Sequence, residues 1–151
     1  MRFIASDYLA AIGCLETIRE KGPSEVTMFS SVTAAPISFQ ELDASYWIDN
    51  MVSTVRFSEA VKALVSQNAP TKTRRKVPIA YAAAIEIGPA ASLRGPLIQI
   101  LTAYDDRLVS SIMYTSLLSR GMSAEITALT AAGKLWAQGR SIFNLSTFCI
   151  H

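Results

Sequence analysis

Residues 77–87 (VPIAYAAAIEI) form an almost unbroken apolar run that ends in Gly88-Pro89. A run of this length, closed by a glycine and a proline, reads as a strand covered on both faces, the state of strands inside a parallel sheet. Such a strand asks for neighbours on its edges and helices above and below it. The rest of the chain is therefore read for what it can supply to that sheet.

Ile4, Tyr8, Ala11, Ile12, Leu15 and Ile18 recur at helical spacing and Gly22-Pro23 follows, so an amphipathic helix is predicted from about residue 6 to 19. Residues 26–33 (VTMFSSVT), β-branched at both ends and bounded by Pro23 and Pro36, read as a strand. Residues 46–65 read as a second helix, with Phe57, Val61, Leu64 and Val65 on one face and Glu59 and Lys62 toward solvent. A third is predicted around Leu93, Leu97, Ile100 and Leu101, with Pro96 in its first turn or at a kink. Beyond Asp105-Asp106 the pattern reads as wholly helical, through Ile112, Leu117 and Leu118 to a break at Arg120-Gly121. The last helix opens at Ser123 as N-cap and stops at Gly139, with Ile126, Leu129, Gly133 and Trp136 as its inward stripe. The tail from 143 has no clear period.

The order is helix, strand, helix, strand, helix and two further helices, an α/β arrangement with a parallel sheet. Two strands make a poor sheet, so strands are expected to lie outside this stretch of sequence. With 151 residues, one domain or a piece of one is expected. Hydrophobic residues make up 50% and charged residues 17%, which excludes bulk disorder and leaves apolar surface for a partner.

Several chemistries are argued against by the residues. A formal charge of +2 gives no general attraction for nucleic acid or anionic lipid. The basic cluster Lys72, Arg74, Arg75 and Lys76 has no interleaved aromatic for base stacking, and reads as a solvated loop. Cys14 and Cys149 lie near opposite ends without Cys-x-x-Cys spacing, so neither a zinc site nor a disulfide scaffold is indicated, and a reducing cytoplasm fits. Ala11-Ile12-Gly13-Cys14 is lipobox-like, yet Asp7 interrupts the apolar core a secretion signal needs. No stretch reaches the ~20 apolar residues that span a bilayer. Trp47, entering a helix beside Tyr46, and Trp136, on the last helix's stripe, read as core residues rather than ligand platforms.

Three ordered motifs carry a resemblance. MFSSVT at 28–33, YWIDNMVSTVRFSEAV at 46–61 and IEIGPAASLRGPLIQIL at 85–101 resemble the acyltransferase domain of fungal highly reducing iterative type I polyketide synthases. The loop NAPTKTRRK at 68–76 looks like that family's basic loop, and residues 113–142 resemble its helical linker. The resemblance implies residues 1–103 as the C-terminal portion of the acyltransferase and 104–151 as the post-acyltransferase linker and tail. It implies a parent activity that transfers malonyl from malonyl-CoA to an acyl carrier protein, without cofactor or metal.

The same resemblance implies that the nucleophilic serine, in a Gly-His-Ser-x-Gly elbow, the basic histidine and the malonyl-binding arginine belong to an upstream part. RFIASDYLAAIG at 2–13 looks like the helix following that histidine. None of the serines here sits in such an elbow, and the only histidine, His151, is terminal. No catalytic residue is thus expected within these residues. Asn50 matches the family position whose backbone carbonyl orients the catalytic histidine, and otherwise only shapes a loop. The family's usual proline is Thr54 here, and its usual histidine after Gly-Pro is Ala90. The expected partner is a full-length polyketide synthase or the complementary half of the domain, with neither nucleic acid nor membrane.

Overall fold

The computed structural model describes residues 5–13, 26–67 and 81–139. The chain divides into two compact units, Met1–Val77 and Pro78–His151, each taken by itself below. The boundary expected after residue 103 falls inside the second unit.

The first unit opens with α1 (Ala5–Ile12), which lies against α2 (Ala44–Val52). Residues 14–25, including the rest of the expected helix and Cys14, lie outside the described residues. Strands β1 (Met28–Phe29) and β2 (Pro36–Ile37) pair antiparallel, with Met28 opposite Ile37 and Phe29 opposite Pro36. The strand predicted over 26–33 is thus only two residues long. Its second half is bent into a turn in which the Ser30 N–H donates to Ala35 O (2.9 Å) and the Ala34 N–H to Ser30 O (2.9 Å). Ala34 adopts φ 57°, which closes the turn at the cost of a left-handed residue.

A 3-10 turn, Phe39–Glu41, follows, held by the Glu41 carboxylate accepting from the Ser38 N–H (2.8 Å) and hydroxyl (2.7 Å). Asp43 then caps α2 by accepting the Tyr46 N–H at 2.8 Å. The single helix predicted over 46–65 is two. Ser53 turns extended (φ −86°, ψ 163°) and ends α2, and α3 (Phe57–Gln67) restarts the helix. Ala60 and Val61 are buried, Phe57, Leu64 and Val65 half-buried, and Glu59 and Lys62 exposed, the face the periodicity predicts. This face meets β1.

In the second unit, β3 (Ala83–Glu86) pairs parallel with β4 (Met113–Ser116), in register from Ala83 opposite Met113 to Glu86 opposite Ser116. Parallel strands need a crossover, which α4 (Arg94–Tyr104) and α5 (Asp106–Ser111) provide. Pro96 sits in the first turn of α4, where its missing N–H would be unpaired in any case. Strand β4 lies in the stretch expected to be wholly helical and gives β3 the neighbour its apolar run demanded. The final helix, α6 (Ala124–Ala137), lies on β4. Ser123 stands at its N-cap without a side-chain hydrogen bond, and Gly139, at φ 74°, closes its end by donating to Trp136 O at 2.8 Å.

The inward face of α6 is opposite to the one expected. Thr127, Ala131 and Leu135 are buried, while Ile126, Leu129 and Trp136 are exposed. Trp136 is therefore not a core residue. Trp47 is half-buried and edge-on to Tyr46, ring centroids 5.2 Å apart.

Candidate functional site

The residues of the two resembling motifs in the first unit are joined to one another. Ser30, fully buried, receives three hydrogen bonds at its hydroxyl oxygen: from the Val32 N–H (3.0 Å), the Thr33 N–H (3.2 Å) and the Tyr46 hydroxyl (2.9 Å). Arg56 adds a second tie. Its backbone N–H donates to Ser31 O (2.7 Å) and its guanidinium to Thr33 O (3.1 Å), while the same guanidinium forms an ion pair with Glu59. The turn at 30–34 is thereby held to the start of α2 and to the start of α3. Neither Ser30 nor Arg56 stands out in the sequence, because a serine in a strand-like run carries no periodic signal.

Asn50 lies in the last turn of α2. The Ser53 N–H closes on Asp49 O at 2.8 Å, and the extended Ser53 then carries the chain away. Among the described residues no backbone N–H donates to the Asn50 carbonyl from beyond the helix end. Its oxygen is one of the terminal acceptors that every helix leaves open. Thr54 is exposed just beyond it.

The third motif is organised by Glu86, only 7% exposed at the end of β3. Its carboxylate accepts the Ser92 N–H (3.0 Å), the Ser92 hydroxyl (3.3 Å), the Leu93 N–H (3.0 Å) and the Tyr114 hydroxyl. Leu93 is the N-cap of α4 and offers no side-chain cap, and Glu86 holds the approach to the helix by accepting the N–H groups of Leu93 and of Ser92 before it. A Cβ on Gly88 would stand 3.0 Å from Glu86 Oε1, which accounts for a glycine two residues after the glutamate. The loop between carries Ala90 and Ala91, the latter at φ 50°. The Tyr114 hydrogen bond, ahead of the Leu93 and Ser92 donors, holds the Glu86 carboxyl below the usual carboxylate range against an opposing desolvation. Desolvation, then the Glu86 hydrogen bond, pushes the Tyr114 hydroxyl up to about 12.

These clusters order the backbone, tying turns and helix starts together. His151, Cys149 and the basic residues Lys72, Arg74, Arg75 and Lys76 lie outside the described residues. Among the described residues no group of three or more His, Cys, Asp or Glu could hold a metal ion, and no helix is long and apolar enough to cross a membrane.

No family model matches the chain. The highly reducing polyketide synthase alnA of Emericella nidulans is 44% identical over 147 residues, which are 94% of this chain and 6% of that protein. A highly reducing polyketide synthase of Preussia isomera is 44% identical over 142 residues, 92% of this chain and 6% of that one. The highly reducing polyketide synthase sdnO of Sordaria araneosa is 37% identical over 139 residues, 92% of this chain and 4% of that one. The chain thus spans about a twentieth of the length of these relatives. Among solved structures, a loading acyltransferase from the avermectin modular polyketide synthase matches 89% of this chain and 35% of that one, with TM-score 0.54 and 23% identity. By sequence the chain is homologous to a segment of fungal highly reducing polyketide synthases, and its mixed α/β fold corresponds to part of a polyketide-synthase acyltransferase.

Proposed function

We propose that the chain is an acyltransferase segment of a polyketide synthase, whose parent activity moves malonyl from malonyl-CoA to an acyl carrier protein in the cytoplasm, and that these 151 residues do not catalyse that transfer alone. Acyl transfer requires a nucleophile at hydrogen-bond distance from a base, with oxyanion donors beside it. The observation that carries the reading is the division of labour among the matched motifs. Ser30, Arg56 and Glu86 are all committed to holding turns and helix ends. They keep the scaffold of an acyltransferase, and the 151 residues hold no Gly-His-Ser-x-Gly elbow. In this reading the Asn50 carbonyl, open at the end of α2, orients a histidine supplied from elsewhere.

Incubation of the chain with radiolabelled malonyl-CoA and a carrier protein tests it. No label above a heat-killed control is expected. Label transfer would overturn the reading. A second reading, a non-catalytic module that docks on a full-length synthase, is favoured by the apolar outer face of α6. Co-elution with a synthase in size-exclusion chromatography, without malonyl transfer, would select it.

A further inference from the structure

A surface helix places its charges opposite its buried face. Helix α6 does not. Thr127, Ala131 and Leu135 face β4, and on the opposite side stand Ile126 (57% exposed), Leu129 (52%) and Trp136 (69%), with Gly133 among them. Met122 (59% exposed), just ahead of the helix, extends the stripe, whose spacing of four, three, four and three residues keeps it on one side. At 3.6 residues per turn, Glu125 and Lys134 fall on the two seams between the faces. This is the pattern of a helix built to lie between two layers, one of which is present.

The stripe leaves on the order of 400 Å2 of apolar side chain in water, within the size range of patches that are functional on single-chain proteins. Gly133 interrupts the side chains of the stripe, and a Cβ there would meet nothing within 4 Å. Length says what the second layer is. The match to the Emericella nidulans synthase covers 94% of this chain, which leaves about nine residues unmatched, so α6 lies inside it wherever they fall, and 94% of that synthase lies outside it. In the acyltransferase of similar fold, about two-thirds of the chain lies outside the matched part.

We propose that the outer face of α6 is the seat of the acyltransferase residues that lie outside these 151. The proposal rests on the reading of the chain as an acyltransferase segment. It is tested by coexpressing the full 151-residue chain with the tagged part of the Emericella nidulans synthase that precedes the matched residues, and measuring capture and malonyl loading. Leu129→Glu and Ile126→Glu change exposed positions and should leave the helical circular dichroism of the chain unchanged. Each is expected to lower capture at least tenfold. In a Trp47→Phe background, capture should shift Trp136 emission to shorter wavelength. Equal capture and loading by parent and both variants would overturn the assignment of α6 while leaving the acyltransferase reading intact. Loss of capture by the parent as well would overturn both. Self-association of the chain alone that Leu129→Glu abolishes would give the face to a second copy and overturn the proposal.

Discussion

Replacing Ser30 by alanine removes one oxygen and leaves three donors without their acceptor. The Tyr46 hydroxyl is the costly one, because Tyr46 is buried and its hydroxyl meets a fully buried Ser30. The Val32 and Thr33 N–H groups are partly buried and recover some hydration. An unsatisfied buried donor costs about 1–3 kcal/mol and a partly solvated one less, so Ser30→Ala should destabilise the first unit by about 2–3 kcal/mol. Tyr46→Phe deletes a single donor and leaves Ser30 two others, and should cost about 1 kcal/mol. The two effects share one hydrogen bond. The double variant should therefore fall short of their sum by about 1 kcal/mol. Urea unfolding followed through Trp47, which lies edge-on to the Tyr46 ring, reads the loss, in a Trp136→Phe background that removes the exposed indole. A Ser30→Ala variant within about 0.5 kcal/mol of the parent, or strict additivity in the cycle, would refute the reasoning.

Leu135 is fully buried under α6, so Leu135→Ala should destabilise the second unit by about 2–5 kcal/mol, measured by thermal melting. Gly88→Ala should lower the melting temperature and disturb the Glu86 cluster, because its Cβ would stand 3.0 Å from Glu86 Oε1, an oxygen already held by the Ser92 N–H and hydroxyl. The pH profile follows from the same pair. The Tyr114 pKa is raised from 10 to about 12, so its contribution is complete below pH 10 and is lost as pH climbs toward 12; Tyr114→Phe should flatten that alkaline limb. The Glu86 pKa is lowered from 4.5, so its contribution is present above that value and disappears as pH falls below it, and Glu86→Gln should flatten the acid limb.

Helices α3 and α4 were legible because their apolar residues recur at the helical period and only one side of each is rich in them. The second unit's sheet was half legible. β3 announces itself by an apolar run, whereas β4, with the sequence MYTS, is four residues long and follows α5 without a glycine or proline between them. Nor does the break between α2 and α3 carry a breaker residue, since residues 53–56 read STVR. The reversal of α6 has a different cause. Both of its sides are apolar, and periodicity favoured the one with the larger residues; β4, unseen, took the side of Thr127, Ala131 and Leu135. At the candidate site, Asn50 was assigned through resemblance alone, and it lies in the last turn of α2.

The motifs by which this chain resembles an acyltransferase are motifs of attachment. Ser30 and Arg56 tie one turn to two helix starts, and Glu86 ties a strand end to a third. Their loss would cost folding free energy whether or not acyl transfer occurs, so their presence reports that the fold is kept and says nothing about turnover. Positions that serve only chemistry lack this protection. Thr54 and Ala90, the two departures from the expected family pattern, lie outside these ties: Thr54 is exposed beyond α2, and neither takes part in the hydrogen bonds that hold the Ser30, Arg56 and Glu86 clusters together. The distinction can be checked by restoring the family residues. Thr54→Pro and Ala90→His should each leave the unfolding midpoint of the chain nearly unchanged, because surface substitutions away from such ties shift stability by no more than about 0.5 kcal/mol. A change of several kcal/mol at either position would mean that these residues, too, belong to the scaffold, and that the separation of scaffold from chemistry drawn here is wrong.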